Sequence, residues 1–132
     1  MIIAAHPATT LAGQRVLLTQ ADTFMGPVLA DVFTRQGATV IADTRPLADD
    51  PAAAAAAVAD AGHVDVLLIH LAVPAPATAA QAIGEAEWRH VFAHMVDPMP
   101  RLVAAVLPQM LARKSGRILL MGSAAALRGQ KR

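Results

Sequence analysis

The sequence predicts an α/β fold, a doubly wound parallel sheet, and three observations predict it. Short apolar runs rich in Val, Ile and Leu alternate along the chain with longer helix-forming segments. Runs of this continuous kind suit strands buried on both faces, which occur in parallel sheets layered between helices. No short hairpin turn joins two of the runs, and their β-branched residues argue against a helical bundle.

The elements follow in order. Arg15-Val16-Leu17-Leu18-Thr19 has strand length. Met25 to Gln36 places Val28, Leu29, Val32 and Phe33 at helical spacing, with Gly37 as the stop signal. Ala38 to Ala42 is a second strand, closed by Asp43. Pro51 can open a helix, because proline is tolerated in the first turn, and Ala52 to Ala61 continues it up to Gly62. Its alanine tract has little side-chain entropy to lose. Only one helix fits between Asp43 and His63, so a further strand near Pro46-Leu47 would be vestigial. Val64 to His70 is the third strand. Glu85 to Lys114 reads as mostly helical, interrupted by Pro98 and Pro100, and Arg117 to Met121 as a fourth strand after Gly116.

Composition narrows the function. The 132 residues fit one domain, whose core must be aliphatic because only 3% are aromatic and 31 are alanine. A net charge of +1 argues against a nucleic-acid partner, which demands a basic face. With no cysteine there is no disulfide, thiolate nucleophile or Cys-ligated metal. Mean hydropathy is +0.46, yet no apolar run nears the roughly 18 residues of a spanning helix. Met1 to Pro7 lacks the basic start and long apolar stretch of a signal peptide, so the expectation is a cytoplasmic chain with no membrane partner.

The loop after the first strand carries the chemical signal. In nucleotide-binding α/β domains it is glycine-rich, so that backbone can approach a pyrophosphate. Here it reads Thr19-Gln20-Ala21-Asp22-Thr23-Phe24-Met25-Gly26. Against Thr-Gly-x-x-x-Gly-x-Gly, Gln20 and Phe24 stand where glycines would, and only Gly26 remains. Phe24 would exclude a dinucleotide sterically and Asp22 would repel it. Asp43 could bond a ribose hydroxyl, but Asp is also common in turns after strands. His90 and His94 stand four apart on one helix without a Glu beside them or a third ligand, which favours an exposed or helix-packing pair over a metal site. His70 reads as a satisfied buried histidine bordering the pocket, and Trp88 and Met95 as core or interface residues.

Taken together, Val64-Asp65-Val66-Leu67-Leu68, Glu87-Trp88, Ala105 to Met110, Ser115-Gly116-Arg117-Ile118 and Gly122-Ser123 resemble the short-chain dehydrogenase/reductase superfamily. The resemblance implies a single, incomplete Rossmann-like domain over 1–132, the N-terminal portion of that fold. Departures matter as well. The family's Asn-Asn-Ala-Gly is Ile69-His70-Leu71-Ala72 here, and its relay Asn corresponds to Met95. Thr19-x4-Phe24-x-Gly26 looks like the signature of halohydrin dehalogenases, and the surroundings are similar to their B-type members.

That resemblance implies a cofactor-independent lyase that closes a vicinal haloalcohol to an epoxide and halide, reversibly. It makes Ser123 the catalytic serine, and Phe24, Thr19, Gly26 and Val73 the halide and substrate pocket. It also implies a homo-oligomer in the full-length form. The family's Tyr would follow Ser123 after twelve intervening residues, with an Arg four beyond; the chain ends at Arg132 and holds no Tyr, so an inactive fragment is expected. The alternatives are an oxidoreductase using NAD or NADP and a non-catalytic truncated paralogue.

Overall fold

Among the described residues four short strands meet in one sheet, each at an apolar run. They are β1 (Arg15–Leu18), β2 (Thr39–Ala42), β3 (Val66–Ile69) and β4 (Arg117–Leu120). The computed structural model describes residues 10–74 and 77–128; Met1 to Pro7, read above for a targeting signal, and Arg132 lie outside them. All strands run parallel in the order β2-β1-β3-β4, with Val16 opposite both Val40 and Val66, and Leu67 opposite Ile118. The chain passes from β1 to one side and then crosses to the other, which makes β1 and β3 flank the topological switch point.

The strand pleat divides the core into two layers. Leu17, Leu67 and Ile69 face one layer with Leu47, Val58, Leu102, Val106 and Met110. Val16, Leu18, Val66 and Leu68 face the other with Ala21 and Ala38. The first layer is filled by α2 (Ala53–Ala61) and α4 (Pro98–Arg113), the second by α1 (Gly26–Arg35). Helix α2 buries Ala53, Ala54, Ala57, Val58 and Ala61, so its tract of small side chains lets backbone lie close to the sheet. Leu47 supplies no strand and instead plugs the core at 1% exposure.

The expected interruption of the helical stretch falls at Val96-Asp97: α3 (Glu85–Met95) ends before it, and Pro98 and Pro100 sit in the opening turn of α4. The first turn has no intrahelical acceptor to bond its N–H groups, so a missing donor there costs nothing. A 3₁₀ turn at Ala80–Ala82 and a short helix α5 (Ala125–Arg128) were not foreseen. Trp88 is not a core residue: it is 51% exposed on α3 and packs on Phe92 with ring centroids 4.5 Å apart. Among the described residues no helix is long and apolar enough to cross a membrane.

At the N-terminal ends of the strands a polar network ties layers together. The Asp65 carboxylate accepts from the Arg15 amide at 2.8 Å and contacts His63 Nε2 at 2.7 Å. Arg113 donates to the Val64 carbonyl, and Gln109 bonds both Val64 N–H and the Gly62 carbonyl. Burial pushes the Asp65 carboxyl up, but the Arg15 and His63 hydrogen bonds and the nearby charges of His63 and Arg113 outweigh it and hold the group below its ordinary value.

Candidate functional site

The strands' C-terminal ends open onto a cleft of about 530 Å³ at the switch point. Thr23 and Phe24 reach it from the loop after β1, and Leu71, Ala72, Val73 and Pro74 from the segment after β3. Met95 closes it from the end of α3, and Ser123 from the turn after β4. None of these side chains is charged, and only Thr23 and Ser123 carry a hydroxyl. A cavity of this size and lining suits a small neutral molecule better than a phosphate or carboxylate.

The loop after β1 holds two side-chain-bearing residues in backbone conformations that favour glycine. Gln20 has φ 46° and Phe24 φ 48°, in the left-handed region that L side chains rarely enter. These are the two positions the sequence comparison marked. Gly26 is required for a different reason: a Cβ there would stand 2.5 Å from the Gln20 carbonyl oxygen and 2.6 Å from Ala21 backbone. It opens α1 against the loop.

Side chains from this loop grip the segment after β3. Thr19 Oγ1 donates to the His70 carbonyl at 2.7 Å and accepts from the His70 N–H at 3.0 Å. Gln20 Oε1 accepts from the Ala72 N–H at 2.6 Å, while the Gln20 carbonyl lies 3.2 Å from His70 Nδ1. A carbonyl can only accept, so Nδ1 is the donor in that contact. His70 is buried and its Nε2 has no hydrogen-bond partner among the described residues, so the expectation of a satisfied buried histidine holds for Nδ1 alone. Phe24 lies nearly parallel to it, with centroids 6.4 Å apart.

The expected site residues thus separate. Phe24, Val73 and Ser123 line the cleft. Thr19 and Gly26, expected in the pocket, lie beneath it: Thr19 is fully buried with its hydroxyl engaged, and Gly26 serves close packing. Ser123 Oγ accepts from the Ala125 N–H at 3.2 Å, so the hydroxyl proton stays free to donate. Gln20 and Met95 are not among the expected site residues: the sequence marks Gln20 only as standing at a glycine position, and Met95 as a core or interface residue at the place of the family's relay Asn. Asp43 is buried, with one oxygen 2.6 Å from Arg45 Nε and the other accepting the Arg45 N–H. Arg45 also reaches Asp60 at 2.9 Å; that contact, opposed by burial and joined by Asp43, raises the guanidinium above its ordinary pKa. His94 Nδ1 contacts the His90 carbonyl, and the described residues hold no cluster of three metal-capable side chains.

A family model described as short chain dehydrogenase matches residues 30–132. No curated protein matches the chain. Among solved structures, one described as "Dehalogenation enzyme" is 32% identical with a TM-score of 0.79, covering 91% of this chain and 58% of that one. Serine dehydrogenase from Escherichia coli, 19% identical, gives a TM-score of 0.75 over 89% of this chain and 65% of its own. A structure described as gox2181, 17% identical, gives 0.82 over 92% and 58%. The last two show the fold alone, and the chain spans less than two thirds of each of the three.

Proposed function

The chain belongs to the short-chain dehydrogenase family, and on that premise we propose that its cleft binds a small haloalcohol, or the matching epoxide and halide, without a nucleotide. The observation that carries this reading is the loop after β1, which holds backbone conformations that favour glycine yet projects Phe24 at the cleft and Gln20 across it. The residues present do not fit a dinucleotide. Side chains stand where its pyrophosphate would need bare backbone, and Asp43, the acid for a ribose hydroxyl, is engaged by Arg45. Similarity to a structure described as a dehalogenation enzyme supports the same choice.

In the proposed chemistry the substrate hydroxyl loses its proton and the oxygen displaces halide from the neighbouring carbon. Ser123 donates its hydroxyl to the substrate oxygen, while Phe24 and Val73 form the apolar wall beside the leaving halide. Holding oxygen and carbon in line lowers the entropic barrier to ring closure. These 132 residues include no tyrosine, so the phenolate that accepts the proton in the resembled lyases is not among them. The proposal therefore concerns binding and orientation by this chain. It is tested by titrating the full chain with 2-chloro-1-phenylethanol, NAD and NADP while following backbone amides by NMR. Saturable shifts at Thr23, Val73 and Ser123 with the haloalcohol alone are expected. Saturable dinucleotide binding, or no response to the haloalcohol, overturns the reading.

A further inference from the structure

The loops on either side of the switch point are fastened to each other by side chains rather than by strand pairing. Strand β1 ends at Leu18 and β3 at Ile69, and the ladder between them stops at Leu18 and Leu68. Beyond it, Thr19 exchanges two hydrogen bonds with the His70 backbone. One residue further, Gln20 reaches the Ala72 N–H with its side chain and the His70 ring with its carbonyl. The segment so held, residues 71–74, provides half of the cleft's lining.

Gln20 stands out because two effects oppose each other there. Its backbone sits at φ 46°, where glycine would relieve strain. Its side chain makes the 2.6 Å bond to Ala72, which glycine would abolish. We propose that Gln20 is the positioning residue of the cleft: its carboxamide is a strut that fixes the Ala72–Pro74 wall and thereby sets which neutral ligand fits. The assignment of the strut rests on geometry alone; its effect on ligand choice rests on the proposed function.

Three variants separate the strut from general stability. Gln20→Gly removes the strut but relieves the backbone, Gln20→Met keeps the length without the acceptor, and Gln20→Glu keeps an acceptor oxygen. Hydrogen exchange at the Ala72 amide reads the strut without any ligand. Exchange about tenfold faster or more is expected in the Gly and Met variants and near-wild-type exchange in Glu. Affinity for 2-chloro-1-phenylethanol is expected to fall about tenfold in Gly and Met, with Glu restoring most of it, although Gly unfolds at no lower denaturant than Met. Unchanged Ala72 exchange in both Gly and Met would sink the strut. Faster exchange with unchanged affinity would sink its role in ligand choice. A wild-type chain that fails to bind the probe defeats the proposed function, and with it the role in ligand choice, while the exchange result still decides the strut.

Discussion

Phe24 holds a strained backbone conformation while its ring is 82% exposed, so the residue buries little in return for its geometry. Its partner ring, His70, lies at 6.4 Å, too far for a strong stacking gain. Phe24→Gly should therefore stabilise the fold by about 1 kcal/mol, since the left-handed region is nearly free for glycine. Urea unfolding of both chains measures this, and a loss of stability would mean that the His70 contact outweighs the strain. A side chain retained against its backbone preference fits a residue kept for what it touches in the cleft. The contrast with Thr19 is instructive. Both belong to one sequence signature, yet Thr19 is fully buried and binds only backbone, so it shapes the cleft from below.

Helix α4 ends at Arg113 and is capped by Lys114, whose φ of 53° and ψ of 31° are left-handed. Its N–H bonds the Leu111 carbonyl, and the Ser115 N–H bonds that of Met110. The cap geometry is one glycine normally provides, so Lys114→Gly should raise stability by about 0.5–1 kcal/mol in thermal unfolding. Strands and helix order were legible in the sequence because burial on both faces of a parallel sheet writes continuous Val, Ile and Leu runs such as Val66–Ile69. The break between α3 and α4 was less so, since Pro98 signals a helix start and a helix interruption with the same residue. The substitution of Gln20 and Phe24 for glycine was readable position by position. Their grip on His70 and Ala72 was not: it joins residues about 50 apart and depends on the register between β1 and β3.

Across the whole molecule the two sides of the sheet differ. Among the described residues two helices pack on one face and α1 alone on the other, and β4 stands at the end of the sheet with Leu119 41% and Leu120 57% exposed. The strands' opposite ends are joined by the Asp65 network, which sets an acid limit on stability. Because that carboxyl is held below its ordinary 3.8, its contribution is full above that value and disappears as pH falls through the folded-state value. Denaturant midpoints measured from pH 7 downward should decline below about pH 4, and Asp65→Asn should make that decline shallower. An equally steep acid decline in the variant would assign the effect to other carboxyls. The only tryptophan, Trp88, lies half exposed on α3 against Phe92, away from both core layers. Its fluorescence is therefore a gauge of one surface helix, and melting of the sheet is better followed by a signal from the backbone.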